Sequence, residues 1–540
     1  MINTIVLTAG RFDPKNTSDR MINDVGLVPI HGKISISWVL DSILKNGSDK
    51  VKVVLSKSNK KLRRFLENYY PQIERYYNSE ESSLIFSLYI ALNTCDDNTP
   101  IQIILGDTFI NEKFPIEENV LLVSGKIKSS KQWCLVSNDE NSNLKDIFNK
   151  QKDLSLEDKK ALVGYYKFSD TKILKEIVSR NIKNNSESFE EVLKIYNKVH
   201  PLLIKQTYNW YDFGHIRGVA EARKDLFNAR DFNSLKGDLV RGTITKISNK
   251  KQKLLDEANW MKNLPNDLLA FVPRVFDVRE NEENAEIEME LYGYSSLSEI
   301  FVYGSNNLEF WMSIIDALFQ MYKRFEEYNI EMDKENLIEI YEKKTKQRID
   351  EIRKSAVSSL INLEEIKIND IFYKNLNLIA DDLYEKIKLL FSYDRQTIVH
   401  GDFCFSNILF DPMYYIFKVI DPRGRFKEQS IYGDPRYDIA KLRHSVVGLY
   451  DFIIAGQYKL KQTDKNSFDF LISCPGFEEK LSEYFDKKVI ENGFNLNEIK
   501  LIEALLFLTM IPLHSDDARK QKAFYLVAIK KINEVLYGSK

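Results

Sequence analysis

The 540-residue sequence predicts a three-layer α/β domain with a mainly parallel sheet, followed by a two-lobed α+β domain. Three observations lead there. Short apolar β-type runs alternate with helical stretches at the start of the chain: Thr4–Thr8, Val51–Leu55, Ile101–Leu105 and Val120–Ser124. The pattern changes character near residues 215 to 235, after which a few strands (Gly242–Ile247, Ala285–Leu291) lead into a long helical region from about Glu309 to Tyr393. Two short apolar strands, Ile408–Phe410 and Tyr415–Ile420, then flank an Asp411-Pro412-Met413 turn, and helices are expected from there to the end. The reading places one domain at 1–225 and a second at 226–540, whose lobes divide near residue 295.

Bulk composition narrows the function classes. With 44% hydrophobic and 29% charged residues the chain is globular and long enough to bury more than one core. Its 77 basic and 79 acidic side chains leave a net charge of −2, so there is no basic excess to hold nucleic acid. Cys95, Cys134, Cys404 and Cys474 lack CxxC spacing, which argues against a disulfide framework or zinc site and fits a reducing cytoplasm. The apolar stretch Ile2–Thr8 is too short for a secretion signal, and no run of about 18 apolar residues is present to span a membrane. The expected partners are a small-molecule substrate and nucleotides; oligomeric state stays open.

The chemistry concentrates in His400-Gly401-Asp402-Phe403-Cys404-Phe405-Ser406-Asn407, an H-x-D-x-x-x-x-N run, followed by Ile420-Asp421-Pro422-Arg423. A hairpin between them brings Asn407 and Asp421 together at its open end. Two oxygen ligands there can hold Mg²⁺ against nucleotide phosphates while Asp402 faces an incoming hydroxyl. Such a site needs a lysine on an upstream strand and a glutamate on the next helix. Lys246 in Thr243–Ile247 and Glu257 in Lys253–Met261 have that placement, and a fixed Lys–Glu pair holds the ammonium against the phosphates. Arg230-Asp231-Phe232-Asn233-Ser234 and Gly237 precede this strand where a nucleotide-covering loop would lie, without a G-x-G-x-x-G.

Over roughly residues 230 to 535 these motifs resemble the aminoglycoside phosphotransferase and choline kinase family, with Gly401 where protein kinases have Arg and Asp421-Pro422-Arg423 where they have Asp-Phe-Gly. The resemblance implies a protein-kinase-like fold and ATP-dependent phosphorylation of a small molecule. It further implies Asp402 as catalytic base, Asn407 and Asp421 as Mg²⁺ ligands, and Glu290 and Tyr292 in the hinge that meets adenine. Gly433–Asp438 resembles the family segment that braces the catalytic loop, and Asp434 and Asp438 read as capping and structural hydrogen bonding ahead of direct catalysis.

The first domain has its own set. A strand ends in Leu7-Thr8-Ala9-Gly10-Arg11, and Val28-Pro29-Ile30-His31-Gly32-Lys33 leads into an apolar helix through Trp38. Ile104-Leu105-Gly106-Asp107-Thr108 and Trp210-Tyr211-Asp212-Phe213-Gly214 follow. Glycines after a first strand let the backbone approach a triphosphate, and Asp107 at a strand's C-terminal end occupies the edge where open α/β sheets bind ligands. Together these are similar to the sugar-nucleotide and phosphocholine nucleotidyltransferases, over nearly all of the domain. The resemblance implies a Rossmann-like domain with Ala9, Gly10 and Arg11 in the Gly-rich loop and Lys33 in the P-V-x-G-K element. Asp107 and Asp212 would be the Mg²⁺ ligands, Ser82 and Ser83 would contact the base, and Gly164–Phe168 would close the acceptor pocket. CTP is the favoured nucleotide, with UTP open; Trp210 and Tyr211 read as core.

Val25 stands where this family has a phosphate-gripping lysine, and Phe12-Asp13 replaces the loop's second glycine. Active and inactive readings of the domain both stay open, with Lys15, Lys33 or Arg20 as substitutes. The two resemblances together imply a bifunctional enzyme. It would phosphorylate a sugar, polyol or amino alcohol with ATP and couple the phosphate to a nucleotide, giving an NDP-activated precursor for bacterial capsule or lipopolysaccharide; fusing consecutive steps raises the local concentration of the intermediate. The alternatives are a kinase with an inactive nucleotidyltransferase domain, an antibiotic phosphotransferase, and a non-enzymatic nucleotide-binding scaffold.

Overall fold

A computed structural model describes the chain except for residues 1, 9–21, 23, 31, 49, 80–82, 128, 153, 227–232, 239 and 539–540. The chain folds as two compact units, Met1–Leu226 and Phe227–Lys540. Among the described residues no helix is long and apolar enough to cross a membrane.

The first unit is built on a nine-stranded sheet. Its parallel centre has the spatial order Glu74–Asn78, Lys50–Ser56, Asn3–Leu7, Ile101–Leu105. Asn3–Leu7 is buried at every position, the signature of a strand covered on both faces. The intervening helices are Ser35–Lys45, Lys60–Tyr69 and Leu84–Leu92, and Ile85 and Leu88 of the last pack with Ile5, Leu7 and Val54. Beyond Ile101–Leu105 the sheet continues with Lys160–Phe168 antiparallel, then Val120–Ser124 antiparallel to that strand, and Leu203–Gln206 parallel to Val120–Ser124. The aromatic residues of Gly164–Phe168 lie inside this sheet, with Tyr165 and Phe168 fully buried, so the run is core strand rather than the closure of an acceptor pocket.

The chain passes from Ile101–Leu105 through Gly106 and Asp107 into a short strand, Thr108–Ile110, which pairs antiparallel with Trp210–Asp212 in the register Asp212 to Thr108. A helix, Ile216–Asp225, turns back over that ribbon. A Cβ on Gly218 would lie 1.9 Å from the Asp212 carbonyl oxygen, so only glycine lets the helix approach. Gly218→Ala is therefore expected to destabilise the first unit by about 2 kcal/mol or more, read as an earlier urea midpoint; an unchanged midpoint would contradict this packing.

The second unit opens with a four-stranded antiparallel sheet in the order Asn233–Asp238, Thr243–Ser248, Ala285–Glu290, Val275–Glu280. The helix Lys251–Lys262 follows the second of these strands, and its buried Trp260 donates Nε1–H to the Val399 carbonyl at 2.7 Å. That bond fixes the helix against the residue preceding His400. The hairpin expected from sequence forms as Ile408–Asp411 against Ile416–Val419, with Ile408 opposite Val419.

Two sequence expectations need correction here. The region from Glu309 to Tyr393 is not continuously helical. After Leu308–Glu326 come Asn329–Glu331 and a hairpin of Glu365–Ile368 with Ile371–Lys374. The hairpin turns through Asn369 and Asp370, both in the left-handed region at φ 48° and 69°, the backbone a tight two-residue turn requires. Nor do helices alone run from residue 421 to the end, since Tyr458–Asp464 and Ser467–Ile472 complete a four-stranded sheet with that hairpin. Ile366, Ile368, Phe468 and Phe470 supply its buried face; each such strand is too short for its alternation to stand out between flanking helices.

Candidate functional site

In the second unit, Lys246 extends from its strand to two carboxylates. Its Nζ lies 2.6 Å from Glu257 Oε2 and 2.9 Å from Asp421 Oδ1. Burial opposes the ammonium charge, but Glu257 and Asp421 outweigh it and raise the Lys246 pKa above the usual lysine value. Asp421 is positioned by the hairpin: the Ile420 N–H donates to the Asn407 carbonyl at 3.0 Å, and Asp421 itself is left-handed at φ 58°. A non-glycine residue held there is a feature that clusters at functional sites.

Asp402 sits in the same place. Its Oδ1 lies 2.8 Å from Lys441 Nζ, and its Oδ2 accepts from Asn407 Nδ2 at 2.9 Å. Burial would raise its pKa, but the Lys441 ammonium and the Asn407 donor prevail and take it down to about 2. It is therefore a carboxylate at any working pH. The Asn407 amide nitrogen is engaged by Asp402, which leaves the amide oxygen as the atom suited to a cation. His400 is buried. Its Nε2 donates to the Ile420 carbonyl at 3.0 Å and its Nδ1 accepts from the Asp402 N–H at 3.3 Å, so the ring is neutral and locks the loop to the hairpin; burial takes its pKa to about 4. Asp438, fully buried, accepts from the His400 and Gly401 N–H groups at 2.6 and 2.8 Å. Asp434 caps the helix Pro435–Val446 and pairs with Arg436. Both carboxylates are structural.

The first unit brings its two predicted carboxylates together. The Phe213 N–H donates to the Asp107 carbonyl at 2.8 Å, which sets the two chain segments side by side. A Cβ built on Gly214 would lie 2.7 Å from Asp107 Oδ2 and 3.1 Å from Asp212 Oδ1, so both oxygens converge on one point that glycine leaves open. Asp212 is oriented by the Gly214 N–H at 2.9 Å and by His215 Nδ1 at 2.6 Å. That bond raises the His215 pKa. Burial, and then repulsion from Asp212, push Asp107 up to about 6. Such a pair of like charges suits a hard divalent cation.

The remaining predicted residues fall elsewhere. Lys33 pairs with Asp41 of the following helix and lies 4.5 Å over the Trp38 ring; its contacts are with that helix, not with Asp107 or Asp212. Ser83 caps the helix Leu84–Leu92 by accepting the Phe86 N–H. Glu290 accepts from the Tyr292 hydroxyl at 2.7 Å and the Arg274 N–H at 3.0 Å at the end of its strand. Ala9, Gly10, Arg11, Ser82 and residues 230–232 lie outside the described residues. Trp210 packs edge-on against Trp133, and Tyr211 stacks on Phe109. Sequence reasoning did not single out Lys441 or His215. His215 could have been found from its position three residues after Asp212, whereas Lys441 carries no local signal.

No protein-family model matches the chain, and no curated protein matches it. Among solved structures the chain is similar to a CTP:phosphocholine cytidylyltransferase from Streptococcus pneumoniae, at 12% identity over 41% of this chain and 97% of that one, with a TM-score of 0.34. It is also similar to a Bacillus anthracis structure described as a glucose-1-phosphate thymidylyltransferase, at 17% identity over 42% of this chain and 98% of that one, with a TM-score of 0.36. A UTP-bound UGPase from Acinetobacter baumannii matches at 12% identity over 41% and 92%, with a TM-score of 0.33. The matched stretch is the N-terminal ~40% of the chain.

The raised Asp107 value has a consequence for stability. A carboxyl whose pKa is higher in the folded than in the unfolded chain loses folding free energy as it ionises, so the penalty develops as pH rises through about 6. Asp107→Asn is expected to raise the Tm of the metal-free protein at about pH 8 and to raise it less at about pH 5. An equal shift at both pH values, measured calorimetrically, would show that burial and Asp212 do not raise the Asp107 pKa.

Proposed function

We propose that the chain is a bifunctional phosphate-transferring enzyme. The C-terminal unit moves the γ-phosphoryl group of ATP to a hydroxyl of a small metabolite. The N-terminal unit joins the resulting phosphate to a nucleotide, CTP ahead of UTP, and releases pyrophosphate. The observation that carries this reading is the contact of Lys246 with Glu257 and Asp421 and of Asp402 with Asn407, the two groups being linked through the Ile420 N–H to Asn407 carbonyl bond. A scaffold that only bound nucleotide would have no need of an ionised Asp402 beside that cluster.

In this mechanism Asp402 orients the acceptor hydroxyl and takes its proton on a carboxylate oxygen as the phosphorus–oxygen bond forms and ADP leaves. Lys246, held by Glu257, presents its ammonium to the phosphates. In the first unit an acceptor phosphate oxygen attacks the α-phosphorus and pyrophosphate departs. Mg²⁺ is the cofactor both reactions call for. Asn407 and Asp421 would hold it in one unit, and Asp107 and Asp212, with oxygens converging beside Gly214, in the other. Bound there, it neutralises phosphate charge. An NDP-activated precursor made in the cytoplasm for capsule or lipopolysaccharide is the product class this pairing suggests.

A second reading, a kinase whose N-terminal domain is inactive, is favoured by one observation. Val25, where a phosphate-gripping lysine would be expected, is a core residue only 7% exposed.

Separate assays of ADP and pyrophosphate test both. With ATP, Mg²⁺ and a panel of hydroxylated acceptors, Asp402→Asn is expected to cut ADP release by about a thousandfold and leave pyrophosphate release from CTP and supplied phosphorylated acceptors intact. Asp107→Asn should do the reverse. Loss of both signals in either variant contradicts the assignment, and ADP without any pyrophosphate in the unmutated protein selects the second reading.

A further inference from the structure

Around Asp402 the second unit gathers three cations, Lys441, Arg423 and Lys344, from separate segments. Lys441 is 8% exposed and pairs with Asp402 at 2.8 Å. One helical turn earlier on the same helix, Tyr437 is buried, and its hydroxyl lies 3.5 Å from Lys344 Nζ. Arg423 enters from the Asp421 turn, where its N–H donates to the His400 carbonyl at 2.8 Å. Its Cβ lies 2.7 Å from where a Cβ on Gly401 would stand, so it is packed against the residue beside Asp402. Among the described residues neither Lys344 nor Arg423 has a carboxylate within ion-pair distance; their contacts are the Tyr437 hydroxyl and ring, and the Phe426 ring.

The arrangement is built rather than incidental. Lys344 opens the helix Lys344–Ile352 directly after a π-helical turn, Ile338–Lys343, a distortion frequent at functional sites. Tyr341 on that turn donates its hydroxyl to Asp434 at 2.8 Å, and Asp434 caps the helix carrying Tyr437 and Lys441. The cations therefore come from three separate segments, each anchored by its own contacts: Lys344 on Tyr437, Lys441 on Asp402 and Arg423 on the His400 carbonyl and the Phe426 ring. Their effect is felt at Tyr437. Burial would raise its pKa, yet Lys344, Lys441 and Arg423 bring it below the usual tyrosine value. Lys344 is itself held below the ordinary lysine value: the Tyr437 oxygen favours its charge, but burial and the cations Arg423 and Lys441 outweigh it. Half-buried like charges with so little compensation are unfavourable unless an anion completes them.

We infer that the acceptor of the C-terminal site is an alcohol bearing an anionic group, a carboxylate or a phosphate, bound by Lys344, Arg423 and Lys441 beside Asp402. This rests on the phosphotransferase reading of that site and excludes choline-like and aminoglycoside acceptors, whose cations these side chains would repel. The transfer balances as before: the acceptor hydroxyl loses its proton to Asp402, its oxygen bonds the γ-phosphorus, and ADP departs.

The test compares glycerate and glycerol 3-phosphate with ribitol, glycerol, choline and ethanolamine as acceptors for the full chain, scoring ADP release with ATP and Mg²⁺. The anionic acceptors are expected to exceed the rest in kcat/KM by about tenfold to a hundredfold. The ratio between the two anionic arms tells carboxylate from phosphate. Lys344→Gln should raise KM for the anionic acceptor by about tenfold without changing KM for ATP, and Lys344→Arg should restore most of the loss. Turnover that favours ribitol, choline or ethanolamine, or a Lys344→Gln effect on ATP alone, overturns the inference and leaves the phosphotransferase reading standing. No acceptor-dependent ADP from any arm overturns both.

Discussion

A carboxylate taken out of water must be matched by a cation, by hydrogen-bond donors, or by giving up its charge, and both units are organised by that requirement. Asp402 is matched by Lys441 and Asn407 and stays ionised. Asp438 is matched by two backbone N–H groups of the loop it supports, although burial still pushes it up to about 7. Asp107 has Asp212 as its neighbour and is pushed up to about 6. Of the three, Asp107 is the one whose surroundings favour an added cation.

The same requirement explains how the loop around Asp402 keeps its shape. Residues 399 to 407 have little regular structure of their own, so their backbone groups are met from outside. Val399 receives the Trp260 indole, His400 and Gly401 donate to Asp438, and the His400 ring ties Ile420 to Asp402. Gly401, at φ +77°, lets Arg423 pack beside it. Stability of the helical body and placement of Asp402 are therefore linked through the helix Pro435–Val446, which carries Asp438, Tyr437 and Lys441 together.

Much of the candidate site's geometry could be read from sequence where its residues sit on one local motif. The chain segments of Asn407 and Asp421 meet because a four-residue strand pairs with its neighbour across a short turn, a geometry that apolar runs and turn residues encode directly. Lys246 and Glu257 meet because a strand and the next helix are joined by a short connection. The apolar runs Thr4–Thr8, Val51–Leu55, Ile101–Leu105 and Val120–Ser124 were equally legible as strands, whereas the parallel edge strand Glu74–Asn78 carries no such run. What sequence could not supply is distance between remote segments. Lys441 reaches Asp402 from a helix 39 residues downstream (441 − 402), and Lys344 meets Tyr437 across 93 residues. The convergence of Asp107 with Asp212 depends on a three-residue ribbon whose register no periodicity specifies. Lys33 was legible as a motif residue, yet its pairing with Asp41 belongs to the following helix. Short strands such as Glu365–Ile368 vanished among helices because four residues hold too few alternations to register.

The central claim is that two independent carboxylate-framed magnesium centres operate in this polypeptide. Titration of the full chain with Mn²⁺, followed by electron paramagnetic resonance in the presence of CTP and a non-hydrolysable ATP analogue, measures this directly. The account predicts two classes of bound Mn²⁺, one removed by Asp421→Asn alone and the other by Asp107→Asn alone. Retention of both classes in either variant, or loss of both together, would contradict it.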